Sequence, residues 1–117
     1  MNSRIEKPWG WEEILEQNDK YVVKLLHVNA GQRLSLQLHK NKTETLFLYR
    51  GVGHITKFDN GGSQYNFMAH FLQKVHIPKG WTHRIEASRM EDVEFLEVNT
   101  PELDDVVRIE DDYGRTE

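Results

Sequence analysis

A chain of 117 residues without a single cysteine has room for one modest hydrophobic core, and for neither disulfides nor thiolate metal sites. Charged residues make up 29% and the mean hydropathy is -0.70, so no apolar run approaches the roughly twenty residues that a membrane-spanning helix needs. The net charge of -4, with no concentrated basic face, argues against a nucleic-acid partner, and Met1–Lys7 has no apolar stretch behind its charges, which predicts a cytoplasmic protein.

In chain order, residues 4–15 (RIEKPWGWEEIL) start with a Pro-Trp-Gly turn and run on into an expected edge strand. Tyr21 to Val28 is a second strand between Asn/Asp/Gly-rich bounds. Its alternation sets Val22, Lys24 and Leu26 on one face, an unusual place for a lysine. From Arg33 to His39 polar and apolar residues alternate with period two. Arg33, Ser35, Gln37 and His39 then share one face and Leu34, Leu36 and Leu38 the other. The leucine face is available to a partner, and a homodimer is the expected state.

Lys40 to Thr43 has turn composition, and Glu44 opens a further strand ending at Gly51. Gln37 and His39 thus lie side by side with Glu44 just across the turn. An imidazole, an amide oxygen and a carboxylate so placed can share one metal ion. Residues 52–58, 64–72, 74–78, 82–87 and 93–99 read as additional short strands, with Asp59-Asn60-Gly61-Gly62 as the clearest hairpin turn. The acidic tail from Pro101 is expected to form a short helix or a wrapping strand. The pattern as a whole predicts one all-β domain, an antiparallel barrel or sandwich over residues 1–117. Trp9, Trp11 and Trp81 are expected in the core, with Trp81 a weak candidate for the pocket wall. His27, His54, His70 and His76 are expected to be structural or exposed.

Two stretches carry a family resemblance. Gly31, Gln37, His39, Glu44 and Gly51 have the spacing of the first cupin motif (31–51), with glutamine where many cupins have a histidine. Pro78, Gly80 and His83 in HIPKGWTHRIE match the second (76–87). The chain further resembles, through KPWGWEE, YVVKLL, FLEV and VVRIEDDYGR, the cupin domain of type II mannose-6-phosphate isomerases, without their guanylyltransferase domain. The resemblance implies a cupin jelly-roll barrel (a double-stranded β-helix) and a divalent metal held by Gln37, His39, Glu44 and His83. Zinc is the first choice for that ion, with manganese, iron, nickel and cobalt open. It also implies a small sugar phosphate as substrate and interconversion of mannose 6-phosphate and fructose 6-phosphate. The family's catalytic arginine falls on Lys42. Glu97 is a candidate acid/base, Lys24, Arg33 and Lys42 are candidates for the phosphate or oxyanion, and Arg115 is a candidate to close the pocket. The rival expectations are a non-catalytic sugar- or sugar-nucleotide-binding cupin and, third, a metal-dependent oxygenase.

Overall fold

The computed structural model describes residues 3–102 and 104–116, and among these it forms eleven β-strands and no helix. The strands are β1 (Ser3–Lys7), β2 (Gly10–Gln17), β3 (Val22–Val28), β4 (Leu36–Leu38), β5 (Glu44–Gly51), β6 (Gly53–Phe58), β7 (Gln64–Met68), β8 (Lys74–Ile77), β9 (Thr82–Ala87), β10 (Val93–Asn99) and β11 (Val107–Glu110). They pair antiparallel in two sheets, ordered β1-β2-β3-β10-β5-β8 and β11-β4-β9-β6-β7. This is the jelly-roll barrel expected, with strands remote in sequence lying side by side. Leu26, Leu46, Val75 and Phe95 from the first sheet meet Ile55 and Ile85 from the second in a common core.

The inner face of the first sheet changes character along its strands. Leu26, Phe95 and Leu48 stand in register across β3, β10 and β5, an apolar row that burial from water stabilises. One inward pair further along, Lys24 stands opposite Glu97; the next brings Val22, Asn99 and Glu44 into line. The alternation therefore builds a dry layer at one level of the barrel and a charged layer beside it.

Several expectations are corrected. The edge strand is β1, which precedes the Pro8-Trp9 turn, and β2 lies inside the sheet between β1 and β3. The period-two reading of 33–39 breaks before β4. The Leu34 N–H bonds the Ile85 carbonyl, 2.9 Å, and its own carbonyl accepts from the Arg84 guanidinium, 3.0 Å. With that interruption Leu34 turns into the core and onto the same cavity wall as Gln37. Leu34, Leu36 and Leu38 accordingly do not form the one free face on which a dimer was expected. The tail is a strand: β11 pairs with β4, and the Tyr113 hydroxyl donates to the Gln32 side chain, 2.7 Å, and bonds the Arg33 carbonyl, 3.0 Å. Trp9 is a core residue, whereas Trp11 lies half-buried on the outer face, sandwiched between His27 and the Arg4 guanidinium.

The two glycines bounding the first motif have unequal roles. Both have positive φ, +78° at Gly31 and +86° at Gly51, which non-glycine residues rarely adopt. A Cβ on Gly31 would meet nothing within 4 Å, whereas one on Gly51 would stand 2.2 Å from the Asp92 carbonyl oxygen. Gly31→Ala is expected to cost only the left-handed penalty, roughly 1–2 kcal/mol, while Gly51→Ala must also move backbone and should cost more than about 3 kcal/mol. Urea unfolding of the two variants checks the order, and equal losses would contradict it.

Candidate functional site

Three buried side chains converge at the charged level of the barrel. His39 follows β4, Glu44 opens β5 and His83 lies on β9, and their ligand atoms lie within 4.8 Å of one another. Glu44 Oε1 is 2.7 Å from His83 Nε2 and 3.5 Å from His39 Nε2, and none of the three atoms has a hydrogen-bond partner. The far nitrogens are committed: His39 Nδ1 donates to the Asp105 carbonyl, 2.6 Å, and His83 Nδ1 to the Trp81 carbonyl, 3.1 Å. Those bonds keep a proton on each Nδ1 and leave each Nε2 facing the carboxylate, as a lone pair when the ring is neutral and as a second N–H when it is charged. Three acceptors aimed at one point, sealed from water, require a cation between them, either a proton or a metal.

The charge balance has the same sense. Burial opposes ionisation of Glu44, but the His83 and His39 rings outweigh it and hold the carboxyl well below the ordinary range. Burial likewise disfavours a charged His83, and the Glu44 carboxylate overrides it and raises the imidazole. Two imidazoles and one carboxylate, with their outer atoms held by carbonyls, fit a divalent first-row metal. Gln37 stands beside them on β4, directly opposite His83 in register; its amide oxygen accepts the Ser35 hydroxyl, 2.6 Å, and keeps a second lone pair for a ligand. The two motifs are joined directly, because the Gly80 N–H donates to the His39 carbonyl, 2.7 Å.

The cluster opens into a cavity of about 340 Å³. Of the residues singled out from the sequence, Lys24, Lys42, Glu97 and Arg115 line it together with Gln37, His39 and Glu44. Lys42 is buried, and its ammonium has no hydrogen bond or ion pair among the described residues. Arg33 does not reach the wall: Asp112 grips its guanidinium at 2.8 and 3.0 Å, and Glu86 lies at 3.3 Å. Trp81 is also absent from the wall and stacks on Tyr65, with ring centroids 5.8 Å apart. His27 bridges Glu94 and Asp92, and His76 bonds Thr45, both away from the cavity.

Several wall residues were not singled out in advance. Glu12 is buried between Lys24 Nζ, 2.7 Å, and Lys7 Nζ, 3.4 Å. Burial raises its carboxyl, yet the two ammonium groups more than compensate and lower it. Lys24 is the complement, held protonated against burial by Glu97 and Glu12. Trp9, Asp104, Val106 and Arg108 also line the wall, with Leu26 and Leu34 behind them in the core. Glu12 stands in an acidic run and Arg108 in an acidic tail, so composition hides both.

Glu97 is the group most disturbed in the useful range. Burial, then the Glu44 charge, push its carboxyl up to about 7, against the opposing pull of Lys42, Lys24 and an Asn99 hydrogen bond of 2.7 Å. A raised carboxyl keeps its proton in the folded chain while the unfolded chain releases it. Stability is therefore unaffected below the unfolded value near 4.5 and falls as pH rises through about 7. In chelator-treated protein, Glu97→Gln should match wild type at pH 4.5 and exceed it at pH 8, by up to about 3 kcal/mol. Thermal melts across that range check this, and parallel curves for the two proteins would contradict it.

Comparison with known proteins places this geometry in a family. The model of the family described as mannose-6-phosphate isomerase C-terminal matches residues 1–111. Similar relatives include the xanthan biosynthesis protein XanB of Xanthomonas campestris pv. campestris (31% identical over 97% of this chain and 24% of its own). Others are the alginate biosynthesis protein AlgA of Pseudomonas aeruginosa (30%, over 96% and 23%) and the mannose-1-phosphate guanylyltransferase of Escherichia coli K12 (30%, over 98% and 24%). The chain thus spans about a quarter of the length of these relatives. Among solved structures, the capsular polysaccharide assembling protein CapF of Staphylococcus aureus superposes with a TM-score of 0.82 at 19% identity, over 94% of this chain and 32% of that one. Bacillus subtilis oxalate decarboxylase, with its Mn(II) centres, superposes with a TM-score of 0.76 at 22% identity, over 92% and 30%. With the cupin jelly roll shared by these structures and a family match across residues 1–111, this chain belongs to the mannose-6-phosphate isomerase C-terminal family.

Proposed function

We propose that this chain is a metal-dependent aldose–ketose isomerase of phosphorylated sugars, interconverting mannose 6-phosphate and fructose 6-phosphate in polysaccharide or nucleotide-sugar synthesis in the cytoplasm. The observation that carries the reading is the buried convergence of His39 Nε2, Glu44 Oε1 and His83 Nε2, without hydrogen-bond partners, beside the buried Glu97 carboxyl on the same cavity wall. The names of the relatives, which act in mannose-phosphate and polysaccharide chemistry, support the substrate class.

Gln37, His39, Glu44 and His83 would hold the ion, which when bound supplies Lewis-acid polarisation of the sugar's carbonyl and hydroxyl oxygens. Glu97, a buried carboxyl on the cavity wall, is suited to take the proton from one carbon and return it to the neighbouring one. Lys42, a buried cation two residues before Glu44, is suited to stabilise negative charge developing on the substrate oxygen. The Lys24–Glu12 pair presents a fixed donor and acceptor to the sugar hydroxyls at the same wall. One observation favours the non-catalytic alternative: the family's arginine is Lys42 here, a point charge without a planar two-pronged fork.

Metal addition to chelator-treated protein is expected to raise Tm by several degrees in wild type, and hardly at all in His39→Ala or Glu44→Gln. Scanning calorimetry with Zn²⁺, Mn²⁺, Ni²⁺ and Co²⁺ would identify the preferred ion. An equal rise in the variants would remove the assignment. The metal-loaded protein should convert mannose 6-phosphate, with Lys42→Ala at least about tenfold slower in kcat/KM, equivalent to about 1.4 kcal/mol, and Lys42→Arg as fast or faster. No turnover by the loaded wild type above the chelated control would decide for a binding protein.

A further inference from the structure

The cavity holds more cations than its metal cluster and proton relay use, and their pairing separates them. Lys7 and Lys24 share Glu12. Arg115 is bound at both prongs by Asp111, Nε to Oδ2 at 2.9 Å and Nη2 to Oδ1 at 3.0 Å. Lys42 sits on the turn between His39 and Glu44 and belongs to the reacting end. Arg108 alone is left without an assignment. Its side chain makes no hydrogen bond and no ion pair among the described residues, and its Nε is sealed from solvent with no acceptor. A guanidinium edge with a desolvated, unmatched N–H is costly unless an anion meets it.

Position adds a second, independent argument. Arg108 stands opposite Gln37 across β11 and β4, and Gln37 stands opposite His83 across β4 and β9. Residues directly opposite in antiparallel strands project from the same face, so Arg108, Gln37 and His83 form one row across the inner wall. Two strand spacings, about 9–10 Å, separate the backbones at its ends. That is comparable to the reach of an extended six-carbon sugar from its carbonyl end to a terminal phosphate. Arg108 also lines an adjoining cavity of about 210 Å³ with Val106, Val107 and Arg115; among the described lining residues none is acidic, and of the two guanidinium groups that of Arg115 is held by Asp111 while that of Arg108 is not.

We propose that Arg108 is the specificity-determining residue that grips the phosphate of a sugar phosphate, through the paired N–H groups of its guanidinium edge, in the compartment next to the metal cluster. The inference rests on the sugar-phosphate reading for the identity of the anion, but its test does not need turnover. Arginine offers two parallel donors to two phosphate oxygens, and glutamine at that position offers neither the charge nor the fork.

The test is calorimetric titration of the full chain with inorganic phosphate, and separately with mannose 6-phosphate and with mannose. Wild type should bind both phosphate-bearing probes, and Arg108→Gln should weaken both at least tenfold while leaving mannose affinity within twofold. Arg108→Lys, which keeps the charge and loses the fork, should weaken them at least threefold. Arg50→Gln, at an exposed arginine on the outer surface, serves as the control and should change nothing. The Mn²⁺-induced rise in Tm must survive in Arg108→Gln, showing that fold and metal cluster are intact; if it does not, Arg108→Lys carries the decision. Absence of phosphate binding by wild type, or unchanged phosphate affinity in the folded variants, overturns the proposal. Arg108-dependent phosphate binding without any isomerisation leaves the proposal standing and removes the isomerase reading. Isomerisation with an unchanged KM in Arg108→Gln does the reverse.

Discussion

Three consecutive backbone N–H groups, those of Lys40, Asn41 and Lys42, donate to the carboxylate of Asp105 at 2.9, 2.6 and 2.9 Å, and the carbonyl of the same residue takes the Nδ1–H of His39 at 2.6 Å. Most of the site depends on this grip. The turn it fixes joins β4 to β5, so it sets the ring of His39, the start of the Lys42 side chain and the approach to Glu44. Burial alone would raise the Asp105 carboxyl; the N–H groups outweigh it and keep it ionised. A turn rich in lysine and asparagine has little apolar surface to hold it in place, and this carboxylate substitutes for a core contact.

The charged level of the barrel is organised by pairing rather than by exclusion of charge. Glu12 between two lysines and Asp111 beneath Arg115 keep most of the ionised groups matched within the protein. Such pairs contribute little net stability, because the desolvation they require offsets their attraction. Stability resides in the adjacent apolar row of Leu26, Phe95 and Leu48 and the residues facing it from the second sheet. The same strands therefore serve both purposes a few residues apart: β10 packs Phe95 into the dry layer and presents Glu97 to the cavity.

What the sequence made legible follows the range of the interactions. The β-strands and their hairpin at 59–62 show in local alternation and turn chemistry, and β9 and β10 fall on the expected residues. His39 and Glu44 are close in the chain, and His83 carries a motif of its own, so a converging cluster could be anticipated. Arg33 was misplaced because a regular period was extended through Leu34, where the Arg84 guanidinium takes a backbone carbonyl out of the ladder. Glu12 and Arg108 acquire their meaning from register across the sheets, and Asp105 from the distant turn whose N–H groups it binds. Nothing within a few residues of any of them distinguishes it from a solvated surface charge. Trp81, flanked by motif residues, was drawn toward the cavity by proximity in sequence, whereas Tyr65 and Lys57 supply its partners.

The strand order has a consequence in time as well as in space. The row Arg108, Gln37, His83 draws on β11, β4 and β9, three strands well separated along the chain, and β4 itself is only three residues long. Closing such distant segments costs chain entropy before any contact repays it, and so short a strand repays little by its own hydrogen bonds. The hairpins β1–β2 and β6–β7, joined by tight turns, face no such delay. The cavity therefore exists only once both sheets are in register, because no local segment of the chain holds more than one member of the row Arg108, Gln37 and His83.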